Sequence, residues 1–160
     1  MAVFLSFHYG RDAMRVQQIL NMGAVEGQTI LSAQDWESVK NEGDAAVENW
    51  IAEQMKYKRA VVVLVGQETA SREWVDYEIR KAWNDGKKVL GVRIHGLADP
   101  ANGRDRQGAN PFAGIKLKNG SDLGDIVPVF NPSGPDSKGV YASIKENWDT
   151  WVDQGVSRSA

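Results

Sequence analysis

The chain has 160 residues, 19 Lys and Arg against 21 Asp and Glu, and no cysteine. That length suits one domain with a substantial core, and the net charge of -2 leaves no basic footprint for nucleic acid. The missing thiols exclude disulfides, thiolate nucleophiles and zinc–thiolate sites.

In chain order, Val3-Phe4-Leu5-Ser6-Phe7 is a short apolar run that predicts a first strand. Asp12 is placed to cap a helix with Val16, Ile19 and Leu20 on its apolar face, stopped by Gly23. Thr29-Ile30-Leu31 reads as a weaker second strand, with Asp35 and Trp36 in the loop after it. Asp44 opens a helix whose Val47, Trp50, Ile51, Gln54 and Met55 recur at helical spacing. Ala60-Val61-Val62-Val63-Leu64-Val65-Gly66 is the most apolar run and predicts a buried parallel strand. Ser71 is placed to cap the next helix, which carries Glu73, Trp74, Asp76, Tyr77, Glu78, Ile79 and Ala82 and closes at Asn84-Asp85-Gly86. Lys88–Ile94 predicts a fourth strand.

Residues 96–125 turn rich in Gly, Asn, Asp and Pro, a loop long enough to imply a role or hidden structure. Ile126–Phe130 reads as a last edge strand, where Pro128 is tolerated. A final helix turns Val140, Tyr141, Ile144, Trp148, Trp151 and Val152 inward. Residues 1–155 are expected to form the single domain and 156–160 a frayed tail. Strands alternating with helices predict an α/β fold: a mostly parallel sheet of about five strands, helices on both faces, and a ligand crevice at the carboxyl strand ends. No signal peptide or membrane-length apolar run is evident, so the expected location is cytoplasmic. His8 and His95 lack metal-ligand spacing, and no metal site is expected.

Several functions of such folds lack their residues here. A phospho-accepting receiver needs a carboxylate after the central strand, where this chain has Val65-Gly66-Gln67. Neither phosphate-cradling glycine motif occurs, and no nucleophile elbow. What remains is a pocket of aromatics with a few polar groups.

Phe4-Leu5-Ser6-Phe7 resembles the F-x-S box that opens Toll/interleukin-1 receptor (TIR) domains. Trp74-Val75-Asp76-Tyr77-Glu78 matches the W-x-x-x-E pattern carrying the catalytic glutamate of NAD-cleaving TIR enzymes. With Ser6-Phe7-His8-Tyr9, Arg15-Val16-Gln17-Gln18, Asp35-Trp36-Glu37, Gly43-Asp44-Ala45-Ala46, Val63-Leu64-Val65-Gly66 and Asn110-Pro111-Phe112, the chain is similar over residues 3–112 to the TIR-like ThsB proteins of Thoeris antiphage defence. The resemblance implies a flavodoxin-like TIR fold. It also implies an enzyme that cleaves NAD as substrate, without a further cofactor, to an ADP-ribose-derived signal: a cyclic isomer or a histidine conjugate. That signal would activate a separate effector, and self-association is expected.

On that reading Glu78 is the catalytic carboxylate, and Ser6, Phe7, His8, Asp35 and Trp74 bind substrate. Four of these have a plainer alternative. Glu78 could be a surface carboxylate paired with Arg80 or Lys81, Trp74 a core residue, His8 a strand-end cap, and Asp35 a turn or helix-cap residue. His95 reads as an ordinary strand-end residue, and Trp50, Trp148 and Trp151 as core. A non-catalytic TIR assembly module, or a nucleoside deoxyribosyltransferase of similar architecture, would be the competing functions.

Overall fold

The computed structural model describes residues 2–23 and 33–158. Among them four strands form one parallel sheet in the order β1-β2-β3-β4, namely β1 (Val3–Ser6), β2 (Ala60–Val65), β3 (Lys88–Arg93) and β4 (Val129–Phe130). The helices are α1 (Tyr9–Asn21), α2 (Ala33–Asn41), α3 (Asp44–Met55), α4 (Glu73–Asn84) and α5 (Ser137–Asp153).

The two layers follow from alternation along the strands, since successive side chains point to opposite faces. Val3, Leu5, Ala60, Val62, Leu64, Leu90 and Val92 share one core with α1 and α5. Phe4, Val61, Val63, Val65 and Val89 share the other with α2, α3 and α4. All six residues of β2 are buried, as an unbroken apolar run requires of a central parallel strand.

The sheet has four strands among the described residues, matching four of those expected, and the fifth, at Thr29–Leu31, lies outside them. Three expectations are corrected. Asp35 and Trp36 belong to the first turns of α2, not to a loop. Asp12 does not cap α1, which starts at Tyr9 after His8; it is fully buried one turn in, bonded at 2.9 Å to Arg15. Ser71 ends a short 3-10 turn, Thr69–Ser71, and its hydroxyl donates to the Glu68 carbonyl, while α4 begins at Glu73 behind Arg72. Ser71 bonds local backbone outside the helix, as serine does as readily as it caps, and Asp12 is held by the Arg15 side chain, which is why these two signals misplaced the helix starts.

The long loop does have structure. Leu123–Asp125 is a 3-10 turn, and three arginines bind the segment to the rest of the fold. Arg15 donates to the carbonyls of Leu97 and Gly103, and Arg93 to that of Gly108. Arg11 makes a two-pronged contact with Asp105 at 2.9 and 3.0 Å and a third bond to Glu68 at 2.6 Å. Val156, expected in the tail, exchanges both backbone hydrogen bonds with Val89 at the edge of β3.

Candidate active site

Ser6 ends β1 on the same face as Phe4, two residues before it, and that face is covered by α4. Along α4 the buried positions are Val75, Glu78, Ile79, Ala82 and Trp83, so Glu78 lies on the inward stripe. The two side chains therefore meet: Ser6 Oγ donates to Glu78 Oε1 at 2.6 Å, and both are buried, at 0% and 5% exposure. The surface reading of Glu78 fails on the same geometry. Arg80 is bonded to Asp76 at 2.7 Å and Lys81 to Asp85 at 3.0 Å, both on the outer face of the helix.

Burial raises the Glu78 carboxyl from its ordinary 4.5 to about 8, and the Ser6 hydrogen bond opposes that rise only in part. In the unliganded protein at neutral pH, Glu78 is mostly protonated.

Beside this pair lies a cavity of about 510 Å³, within the roughly 300–1,000 Å³ typical of small-molecule sites. It opens where β1 ends and α4 begins, and its walls include Phe7, His8, Tyr9, Trp36, Arg72 and Trp74. The rings are locked together. Phe7 and Tyr9 lie 4.3 Å apart, Tyr9 stacks on Trp36 at 4.8 Å and 14°, and Trp36 tilts against Trp50 at 5.7 Å. Trp74 is half-buried and meets Tyr77 edge-on at 5.4 Å.

His8 has a buried Nδ1 without a hydrogen-bond partner among the described residues, and its Nε2 sits 3.5 Å from Arg72. Burial and then the Arg72 charge lower its pKa, keeping the ring neutral near pH 7. Arg72 and Lys40 bring positive charge to the cavity, although Lys40 is also paired with Glu37 at 3.0 Å.

Of the six residues expected at the site, Phe7, His8 and Trp74 line this cavity. Ser6 and Glu78 form the buried pair behind it. Asp35 is exposed on α2 and is not in the wall, although its neighbours Trp36 and Glu37 are. Tyr9, Arg72 and Lys40 were missed. Tyr9 follows the strand-end box directly and Arg72 stands two residues before Trp74, so both were legible as neighbours of the motifs. Lys40 reaches the cavity only through the α2 fold.

A family model described as the TIR-like domain of Thoeris protein ThsB matches residues 4–99, which carry β1 to β3 and the Ser6–Glu78 pair. This chain belongs to the ThsB TIR-like family. Among curated proteins it is 31% identical over 126 residues to a candidate cyclic ADP-D-ribose synthase, ThsB1, of Bacillus cereus (strain MSX-D12). That alignment covers 75% of this chain, and the chain spans 65% of the length of that relative. The match ends at residue 99, so most of the arginine-strapped loop and α5 lie beyond the family model. No helix among the described residues is long and apolar enough to cross a membrane.

Proposed function

We propose that this protein cleaves NAD, releasing nicotinamide and forming an ADP-ribose-derived signal, as an NAD glycohydrolase or ADP-ribosyl cyclase of antiphage defence. The observation that carries the reading is the buried Glu78, bonded to Ser6 directly behind an aromatic cavity at the carboxyl strand ends. The name of the Bacillus relative, a cyclic ADP-D-ribose synthase, points to the same substrate.

The chemistry suits one carboxylate. Nicotinamide in NAD is already cationic, so it departs neutral and needs no general acid. The ribosyl centre it leaves resembles an oxocarbenium ion, which an adjacent carboxylate stabilises. Glycosidases, whose leaving group would otherwise depart as an alkoxide, need a second, protonated carboxyl for that departure. A glutamate held neutral by burial gains from this arrangement. The pyridinium charge of arriving substrate favours the ionised form, so Glu78 becomes an anion when the cation to be stabilised is present. Trp36 and Trp74 offer aromatic surface for nicotinamide, Arg72 and Lys40 charge for the pyrophosphate, and His8 Nδ1 a hydrogen bond with no partner among the described residues.

Glu78 lies behind the wall rather than in it, so catalysis requires α4 or the β1 end to shift. Self-association is the event we assign to that opening, and a separate effector protein receives the product. The test is incubation of the protein and Glu78→Gln with NAD over a range of protein concentrations, with products read by mass spectrometry. Free nicotinamide and an ADP-ribose isomer or adduct are expected, rising more than linearly with protein and absent in the variant. Retained turnover in Glu78→Gln would overturn the assignment. So would silence of the wild type both alone and in lysate of phage-infected cells.

A further inference from the structure

The cavity beside Glu78 is not the only one to which α4 contributes. A groove of about 580 Å³ runs between the carboxyl half of α4, residues 115–126 and residues 156–158. Its floor is apolar: Trp83, Ile115, Leu117, Leu123, Ile126 and Val156. Ile126 is 37% exposed, one of three large hydrophobic side chains left open to solvent among the described residues.

The rim carries charge of one sign. Arg80, Lys116, Lys118 and Arg158 line the groove and no carboxylate does, on a chain with slightly more acids than bases. Arg80 is neutralised by Asp76 and Lys116 by Asp122, at 2.7 and 3.2 Å. Lys118 and Arg158 have no ion pair among the described residues, which leaves two uncompensated positive charges above an apolar floor.

The groove is also built rather than incidental. Asp122 accepts backbone hydrogen bonds from Gly114 and Gly124, closing the loop that presents Lys116 and Lys118. The paired bonds between Val89 and Val156 fix the segment that brings Arg158 to the groove. None of its lining residues belongs to the aromatic cavity, although α4 contributes to both.

We infer that this groove is a binding site for a small phosphate monoester carrying a planar or branched apolar group, a nucleoside monophosphate being the simplest example. A dianionic phosphate is complementary in sign to Lys118 and Arg158, neither of which has an ion pair among the described residues. The hydrophobic remainder matches a floor that water solvates poorly, and the volume falls in the usual range for such ligands, roughly 300–1,000 Å³. The site does not depend on the NAD reading, because it shares no wall with that cavity.

The test uses the intact chain, 15N-labelled, titrated with AMP while backbone amides and indole N–H groups are followed by NMR. AMP should shift the Trp83 indole and the amides of residues 115–118 in a saturable way. Adenosine and inorganic phosphate should each bind there at least about tenfold more weakly, since each lacks one half of the match. The exposed charge reversals Lys118→Glu and Arg158→Glu, combined, should abolish those shifts while any response at Trp36 and Trp74 persists. Absence of saturable shifts at millimolar AMP, equal binding of adenosine or of phosphate, or shifts unchanged in the double variant would overturn the inference. The wild-type comparison of the three probes needs no variant to fold, and failure at Trp83 with a response at Trp74 would leave the NAD site untouched.

Discussion

Replacing Glu78 by Gln should make the protein more stable, and by an amount that grows with pH. The amide keeps the side chain's shape and an oxygen to accept the Ser6 hydroxyl, but it has no proton to lose. In the native protein the Glu78 carboxyl holds its proton up to about pH 8, whereas in the unfolded chain it releases it from 4.5. The wild type therefore has its full stability below the unfolded value, loses stability as pH rises between the two, and levels off above the folded one. The separation, 8 minus 4.5, is 3.5 pH units. At about 1.4 kcal/mol per unit, the wild type gives up on the order of 5 kcal/mol by pH 8, a large part of the total for a domain of this size. Glu78 is nearly inaccessible, so solvent screening does not erode that figure. Urea unfolding of both proteins between about pH 5 and pH 8.5 reads the difference, and other titrations common to the two cancel in it. The gap should open by about 1 kcal/mol or more per pH unit through neutrality. A difference that stays flat with pH, or a variant that loses ground as pH rises, would refute the burial argument.

Ser6→Ala removes the one hydrogen bond that holds the carboxyl down, so Glu78 should titrate at still higher pH. That is measurable as an upward extension of the pH window in which stability falls, its lower end staying at the unfolded value. Arg15→Ala should cost about 3–5 kcal/mol in urea unfolding, because it strands the buried Asp12, leaves Asp105 to Arg11 alone and frees the carbonyls of Leu97 and Gly103. Gly66→Ala should cost about 1–3 kcal/mol, since a methyl group there runs into the carboxylate of Asp12, which is buried and held by Arg15; an unchanged melting temperature would sink that reading. Trp36→Ala should raise the KM for NAD far more than it lowers kcat, if the stacked wall binds the substrate ring and does not touch the reacting bond.

The layered architecture could be read from the chain because periodicity reports burial directly. The unbroken Ala60–Val65 run is buried throughout, and of the α3 stripe Val47, Ile51 and Met55 are buried, while Trp50 is half-buried and Gln54 exposed. Trp74 and Glu78 were legible as one face of one helix, and the motif named the face. What periodicity could not reveal is depth: Glu78 belongs to the inward stripe only because Ser6 on β1 comes within hydrogen-bond reach, a contact 72 residues apart in sequence. The strapped loop was opaque for a similar reason. Its order comes from Arg11, Arg15 and Arg93 reaching into it from elsewhere, and its own composition of turn-forming residues carries no trace of them. Helix starts were misjudged where aspartate and serine had better partners than the helix end, as at Asp12 and Ser71.

The ring stack from Phe7 through Tyr9 and Trp36 to Trp50 has a thermodynamic consequence for whatever enters beside it. Aromatic side chains free in a cleft surrender rotamer entropy when a ligand settles on them, about 0.5–1.5 kcal/mol for each one immobilised. Here neighbouring rings already hold one another, joining β1, α1, α2 and α3 into a stiff panel. The ordering cost falls on folding, and binding is spared it.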